Sequence, residues 1–81
     1  MNTISKPTKK RLILITTKGT KTYHLVPDGH GLNIYRITSG FFTDTKDLIG
    51  HGSDLNNAVQ WARMDAEAGD SRIKSSEMRD A

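Results

Sequence analysis

The side chains with chemistry to offer are few, and their spacing decides what they can do. Three histidines, His24, His30 and His51, sit six and twenty-one positions apart, and there is no cysteine. Zinc wants about four nitrogen or sulfur ligands at short characteristic spacings, so this set predicts no metal centre. The missing thiol also removes a cysteine nucleophile. His30 and His51 each stand in a Gly-His-Gly triplet, which reads as a tight turn carrying an exposed imidazole. Gly50-His51-Gly52 leads into a helical pattern and so resembles a phosphate-binding loop in outline. Such a loop needs a longer glycine pattern and a lysine, and Asp54 would put negative charge where the phosphate should sit. Ser53, His51 and Asp54 make a hydrolytic triad only on paper, because they are neighbours on one loop with no nucleophile elbow. Ser53 or Asp54 serves better as a helix cap. Asp44 and Asp47 read as strand-end and loop residues rather than a paired acid and base. The expectation is a protein with no catalytic residue and no cofactor, not an enzyme, that works by binding.

What it could bind is suggested by charge. The 81 residues carry 12 Lys and Arg against 9 Asp and Glu, a net charge of +3. The surplus is lopsided. Lys6, Lys9, Lys10, Arg11, Lys18 and Lys21 fall in the first 24 residues with no acid among them, while the remainder is mildly acidic. A basic end of this kind meets nucleic acid or an acidic protein surface. Lys9, Lys10, Arg11, Lys18, Lys21 and Arg36 are therefore the candidate contacts for either partner.

These residues must be positioned by a small fold. The first ten residues lack periodicity and predict a flexible basic arm, residues 1–10. Arg11 to Thr17 is rich in β-branched residues and ends at Lys18-Gly19, a turn signal, and Lys21 to Val26 completes a hairpin. Pro27-Asp28-Gly29 is a second turn, Leu32 to Thr38 a third strand, and Ser39-Gly40 a third turn. Phe41 to about Thr45 predicts a fourth strand, which the stretch through Ile49 can continue after a kink, with Gly50-His51-Gly52 breaking the chain after it. From Leu55, apolar residues recur at Ala58, Val59, Ala62 and Ala66, the three-and-four spacing of one helical face, with Gly69 as terminator. The polar stretch 70–81 predicts a flexible tail. The expected architecture is α+β: three to four antiparallel strands with one C-terminal helix across one face, in a single domain spanning 11–69. Its expected core is Leu12, Leu14, Tyr23, Leu25, Ile34, Ile37, Phe42, Leu55, Val59, Trp61 and Ala62. The apolar run Leu12 to Ile15 is too short for a signal-peptide core, and no stretch is long enough to span a bilayer. The expected location is the cytoplasm, with no membrane contact.

One helix covers one face of a sheet, and that has a consequence. Leu12 and Leu14 point to one side of the first strand and Ile13 and Ile15 to the other. On the third strand Leu32 and Ile34 oppose Tyr35 and Ile37. An apolar second face, with Ile13, Ile15 and Tyr35 as its contact residues, is expected either to dock a protein partner or a second copy of the chain or to be covered by the fourth strand and the tail folding back over it.

In outline, three antiparallel strands followed by a helix resemble a small bacterial DNA-binding activator of cell division and the double-stranded RNA-binding domains, over residues 11–68 as architecture only. The resemblance implies a duplex nucleic-acid partner. With Asp54, Asp65 and Glu67 against Arg63 on the helix, the arm and first hairpin would make that contact. In size and style the chain also resembles phage and prophage proteins that inhibit or retune host nucleic-acid-handling or defence machinery, anti-CRISPR proteins among them. That likeness implies a non-catalytic inhibitor acting by protein–protein contact, the first expectation here, with direct duplex binding as the alternative.

Overall fold

The β-branched run near the N-terminus does become a strand, and the chain builds a five-stranded sheet around it. The computed structural model describes residues 8–81. The elements are β1 (Lys10–Thr16), β2 (Gly19–Asp28), β3 (Gly31–Thr38), β4 (Thr45–Gly52), α1 (Leu55–Ala66) and β5 (Ile73–Asp80). Every pairing is antiparallel and the order across the sheet is β4-β3-β2-β1-β5. The α+β class is as expected, with five strands instead of three to four. Of the expected basic arm, residues 1–7 lie outside the described residues, while Lys10 already belongs to β1.

The alternation in β1 to β3 sorts side chains as the sequence suggests. Leu12, Leu14, Tyr23, Leu25, Leu32 and Ile34 are buried beneath the helix, together with Ala58, Ala62 and Ala66 from α1. Asp54 caps the helix: its Oδ1 accepts from the backbone N–H of Asn57 at 2.8 Å, and the Asn57 side chain accepts in return from the Ser53 N–H at 3.0 Å. This is the local reason the helix starts where it does. The helix lies chiefly over β4 and β3. Gly69 and Asp70, both at positive φ, then reverse the chain. Thr17 ties the return down, donating its N–H to the Arg72 carbonyl at 2.9 Å and accepting from the Arg72 N–H through Oγ1 at 3.1 Å.

Three expectations are corrected. The stretch read as a flexible tail supplies β5, which pairs with β1 from Lys10↔Asp80 to Thr16↔Ile73. Its side chains are almost all exposed, so an edge strand of this kind carries no hydrophobic alternation to betray it. The fourth strand begins at Thr45 rather than Phe41, and the Gly50-His51-Gly52 triplet is its end, not a break. Those glycines are required by proximity: a side chain at Gly52 would collide with the backbone of Ala58, and one at Gly50 with the Trp61 ring. Finally, several expected core residues lie elsewhere. Phe42 is fully exposed, Leu55 and Trp61 are exposed in large part, and Ile37 sits half-buried on the side away from the helix. The close approach of helix and β4 is filled by alanines, which leaves no room there for larger side chains.

Candidate functional site

The face of the sheet away from α1 has no covering layer among the described residues, and the register writes out its contents. Residues paired across strands share a face. One row runs Arg79–Arg11–His24–Tyr35–Leu48 through all five strands, and the next runs Glu77–Ile13–Thr22–Ile37–Lys46. Ile15 and Val26 extend the apolar part along β1 and β2. Aliphatic side chains thus flank Thr22 and His24 of the central strand, with Tyr35 beside His24, cations at Arg11, Lys46 and Arg79, and an acid at Glu77.

A bulge shapes this arrangement at β4. The register shifts between Ile34 and Tyr35, so that Gly50 opposes Ile34 while Leu48 opposes Tyr35. Ile49 is the extra residue, half-buried against the core. The shift turns Leu48 and Lys46 onto the uncovered face. Leu48 is 60% exposed there, and the Lys46 ammonium stands 4.2 Å from the centroid of the Tyr35 ring, a cation–π contact that holds both. Arg11, Ile13, Thr22, His24, Ile37, Ser39 and Asp44 line a shallow recess of about 360 Å³ on this face.

His24 reports the local field. Its pKa is held below the usual imidazole value, first by burial and then by repulsion from Lys9, Arg11 and Lys46. Three cations therefore act on one point of the face. The lowered value makes protonation of the folded protein unfavourable. Below about pH 6.5 the unfolded chain takes up a proton that the folded one resists, so stability is lost as pH falls from there through the folded pKa. We expect His24→Gln to reduce this acid sensitivity. Urea unfolding at pH 7 and pH 5 checks it: an equal drop in midpoint for both proteins would remove His24 as the cause.

The six candidate cations do not form one surface. Arg11 lies on the uncovered face and Lys9 beside it. Lys10, Lys21 and Arg36 alternate to the helix side, where Lys10 pairs with Asp80 and Arg36 donates to Asp65 at 2.8 Å. Lys18, in the β1–β2 turn, donates to the Gly69 carbonyl. Lys18, Lys21 and Arg36 converge with Asp65 on a recess of about 300 Å³ near the end of α1. Ile13, Ile15 and Tyr35 all lie on the uncovered face. His24, Val26, Ile37, Lys46 and Leu48 belong with them and were not singled out from the sequence. Parity along β2 and β3 would have found the first three. The bulge at Ile49 hid the last two.

By the same register Asn33 and His51 also lie on the uncovered face, in the row that continues from Val26. His51 faces Asn33 across the β3–β4 ladder, Nδ1 to Oδ1 at 2.8 Å. Asn33 uses its Nδ2 to donate to Asp28 at 3.1 Å, which leaves Oδ1 to accept from His51. The carboxylate of Asp54 is taken up by the helix cap. Among the described residues no three His, Asp or Glu side chains converge as a metal site, and no helix is long and apolar enough to cross a membrane. Compared with protein-family models, with curated proteins and with solved structures, the chain finds no match.

Proposed function

We propose that this protein is a non-catalytic binding module that docks its uncovered sheet face on an acidic patch of a protein partner. The observation that carries the reading is the make-up of that face: Ile13, Ile15, Val26, Ile37 and Leu48 lie around Thr22 and His24, with Arg11 and Lys46 among them and Lys9 near enough to act on His24. Apolar surface left uncovered favours contact with another macromolecule, and the cations select an acidic one. A second copy of the chain fits less well. A two-fold interface sets the same patch against itself, so cations would face cations. Nucleic acid fits less well too. The aliphatic side chains offer no π-face for base stacking, and the Tyr35 ring already carries Lys46. A small inhibitor of phage type that occupies an acidic surface of host machinery is a setting consistent with this chemistry.

The test is a charge reversal. With a partner identified by pull-down and then purified, Arg11→Glu combined with Lys46→Glu should slow association at least tenfold. It should also flatten the dependence of the association rate on salt. The reading fails if the double variant binds as the wild type does. It also fails if a random DNA duplex binds more tightly than any protein, with an affinity that falls steeply as salt rises.

A further inference from the structure

The loop between β3 and β4 carries the feature that the fold least explains. Phe41 and Phe42 are 94% and 93% exposed, so neither ring contributes to the core. The two rings rest against each other, with centroids 4.9 Å apart and planes at 76°, in edge-to-face contact. The loop beneath them is tight. Thr38 and Thr45 close it as a ladder pair, and a side chain at Gly40 would run into the Thr43 carbonyl oxygen. Its two feet, Ser39 and Asp44, are also walls of the recess on the uncovered face. The rings therefore project from the margin of that face, on a short support that restricts their freedom before any contact is made.

We infer that Phe41 and Phe42 are the anchor of the interface, a paired-ring knob that enters an apolar pocket beside the acidic patch of the same protein partner. This rests on the reading of the uncovered face given above. The area of that face makes the anchor necessary. Five strands at about 4.8 Å spacing and some seven residues of length give roughly 600 Å². A stable interface uses about 800 Å² per partner. Two aromatic rings, at about 150–250 Å² each, close the gap. Rigid aromatic anchors are also the side chains that dominate binding energy, because little freedom is lost when they seat.

The surroundings of the loop select a protein pocket over other occupants. Seating the rings in a bilayer would carry the nearby Asp44 carboxylate toward hydrocarbon, whereas a pocket can admit the two rings and leave that carboxylate in water. Successive bases stack on parallel aromatic faces, and two rings at 76° cannot offer them.

The experiment uses the full chain with the photo-cross-linker p-benzoylphenylalanine at position 42 or at position 13, followed by binding measurements on the purified cross-linked protein. The expected result is one and the same protein from both positions, bound at least thirtyfold more weakly by Phe41→Ala/Phe42→Ala, chiefly through faster dissociation. The melting temperature of that variant should match the wild type, because both rings lie outside the core. Cross-linking from position 13 but not 42, or undiminished binding by the double variant, overturns the anchor and leaves the face reading standing. Cross-linking from position 42 alone overturns the face reading on which the anchor rests, and none from either overturns both. Phenylalanine-dependent binding to phosphatidylcholine vesicles, with or without one quarter phosphatidylserine, or to an oligonucleotide duplex, also overturns the anchor.

Discussion

Replacing Gly52 with alanine should destabilise the protein by about 3 kcal/mol, a large share of what a domain this small possesses. The added Cβ would lie 2.6 Å from the Ala58 backbone nitrogen and 2.7 Å from its Cα. Ordinary contact begins near 3.4 Å, and the obstacle is helix backbone, which cannot rotate away as a side chain can. Either α1 retreats or β4 bends. Retreat strips Ala58 and Ala62 of their contacts with the sheet, and these small residues have no reach to restore them. Gly50 gives the graded comparison. Its Cβ would meet the Trp61 ring at 2.6 Å, but Trp61 is already 40% exposed and can swing outward, so Gly50→Ala should cost less. Gly19→Ala meets nothing within 4 Å and suffers only from its φ of +113°, a penalty of about 1 kcal/mol. Urea unfolding of the three variants checks the order. A Gly52→Ala midpoint equal to the wild type would mean that helix and sheet are not in this close contact.

The same glycines mark the limit of what the sequence reveals. The alternation of Leu12/Leu14 against Ile13/Ile15, and of Leu32/Ile34 against Tyr35/Ile37, is sufficient to divide the two faces of the central strands, because each strand is flanked by recognisable turns. Gly50 and Gly52 look like turn residues for the same compositional reason, yet their function is to admit a helix. That is a property of packing between segments, invisible to any local pattern. A strand expected from Phe41 places Phe42 in the core, whereas β4 begins at Thr45 and leaves both Phe41 and Phe42 on the loop before it. β5 was hidden differently. A strand at the edge, exposed on both sides, is chosen by the free backbone groups of β1 rather than by its own side chains. The candidate face was legible where alternation holds, at Ile13, Ile15 and Tyr35. It was illegible where the bulge at Ile49 reverses parity and brings Lys46 and Leu48 into it.

Removing the carboxylate of Asp65 should have the next largest effect, about 2–3 kcal/mol for Asp65→Ala. Asp65 sits in the last turn of α1 and satisfies two groups on the sheet: the Tyr23 hydroxyl donates to its Oδ2 at 2.7 Å and Arg36 to its Oδ1 at 2.8 Å. Tyr23 is wholly buried, so its hydroxyl would be left without a partner, at a cost of about 1–3 kcal/mol. The Arg36 pair adds less, because its side chain is 40% exposed and water screens the charge. Tyr23→Phe should cost about 1.5 kcal/mol. The double variant should cost less than the sum of the two single ones, because both remove the same bond.

Alkaline titration reads the same contact independently. Burial first, and then the hydrogen bond and negative charge of Asp65, raise the Tyr23 pKa far above its ordinary value, while the nearby Arg36 charge opposes them. Above about pH 10 the unfolded chain releases a phenolic proton that the folded chain retains, so stability declines as pH rises toward the folded pKa. Tyr23→Phe should remove that part of the decline, and identical alkaline profiles for wild type and variant would show that the buried phenol contributes nothing. Tyr23 and Arg36 are each one residue from the half-buried His24 and Tyr35, so the latch and the binding residues occupy opposite sides of the same two strands. Partner affinity per folded molecule should nevertheless survive Asp65→Ala, since the strand pairing that fixes those positions does not depend on the helix carboxylate. Loss of stability with affinity retained is what separates a residue that supports this surface from one that belongs to it.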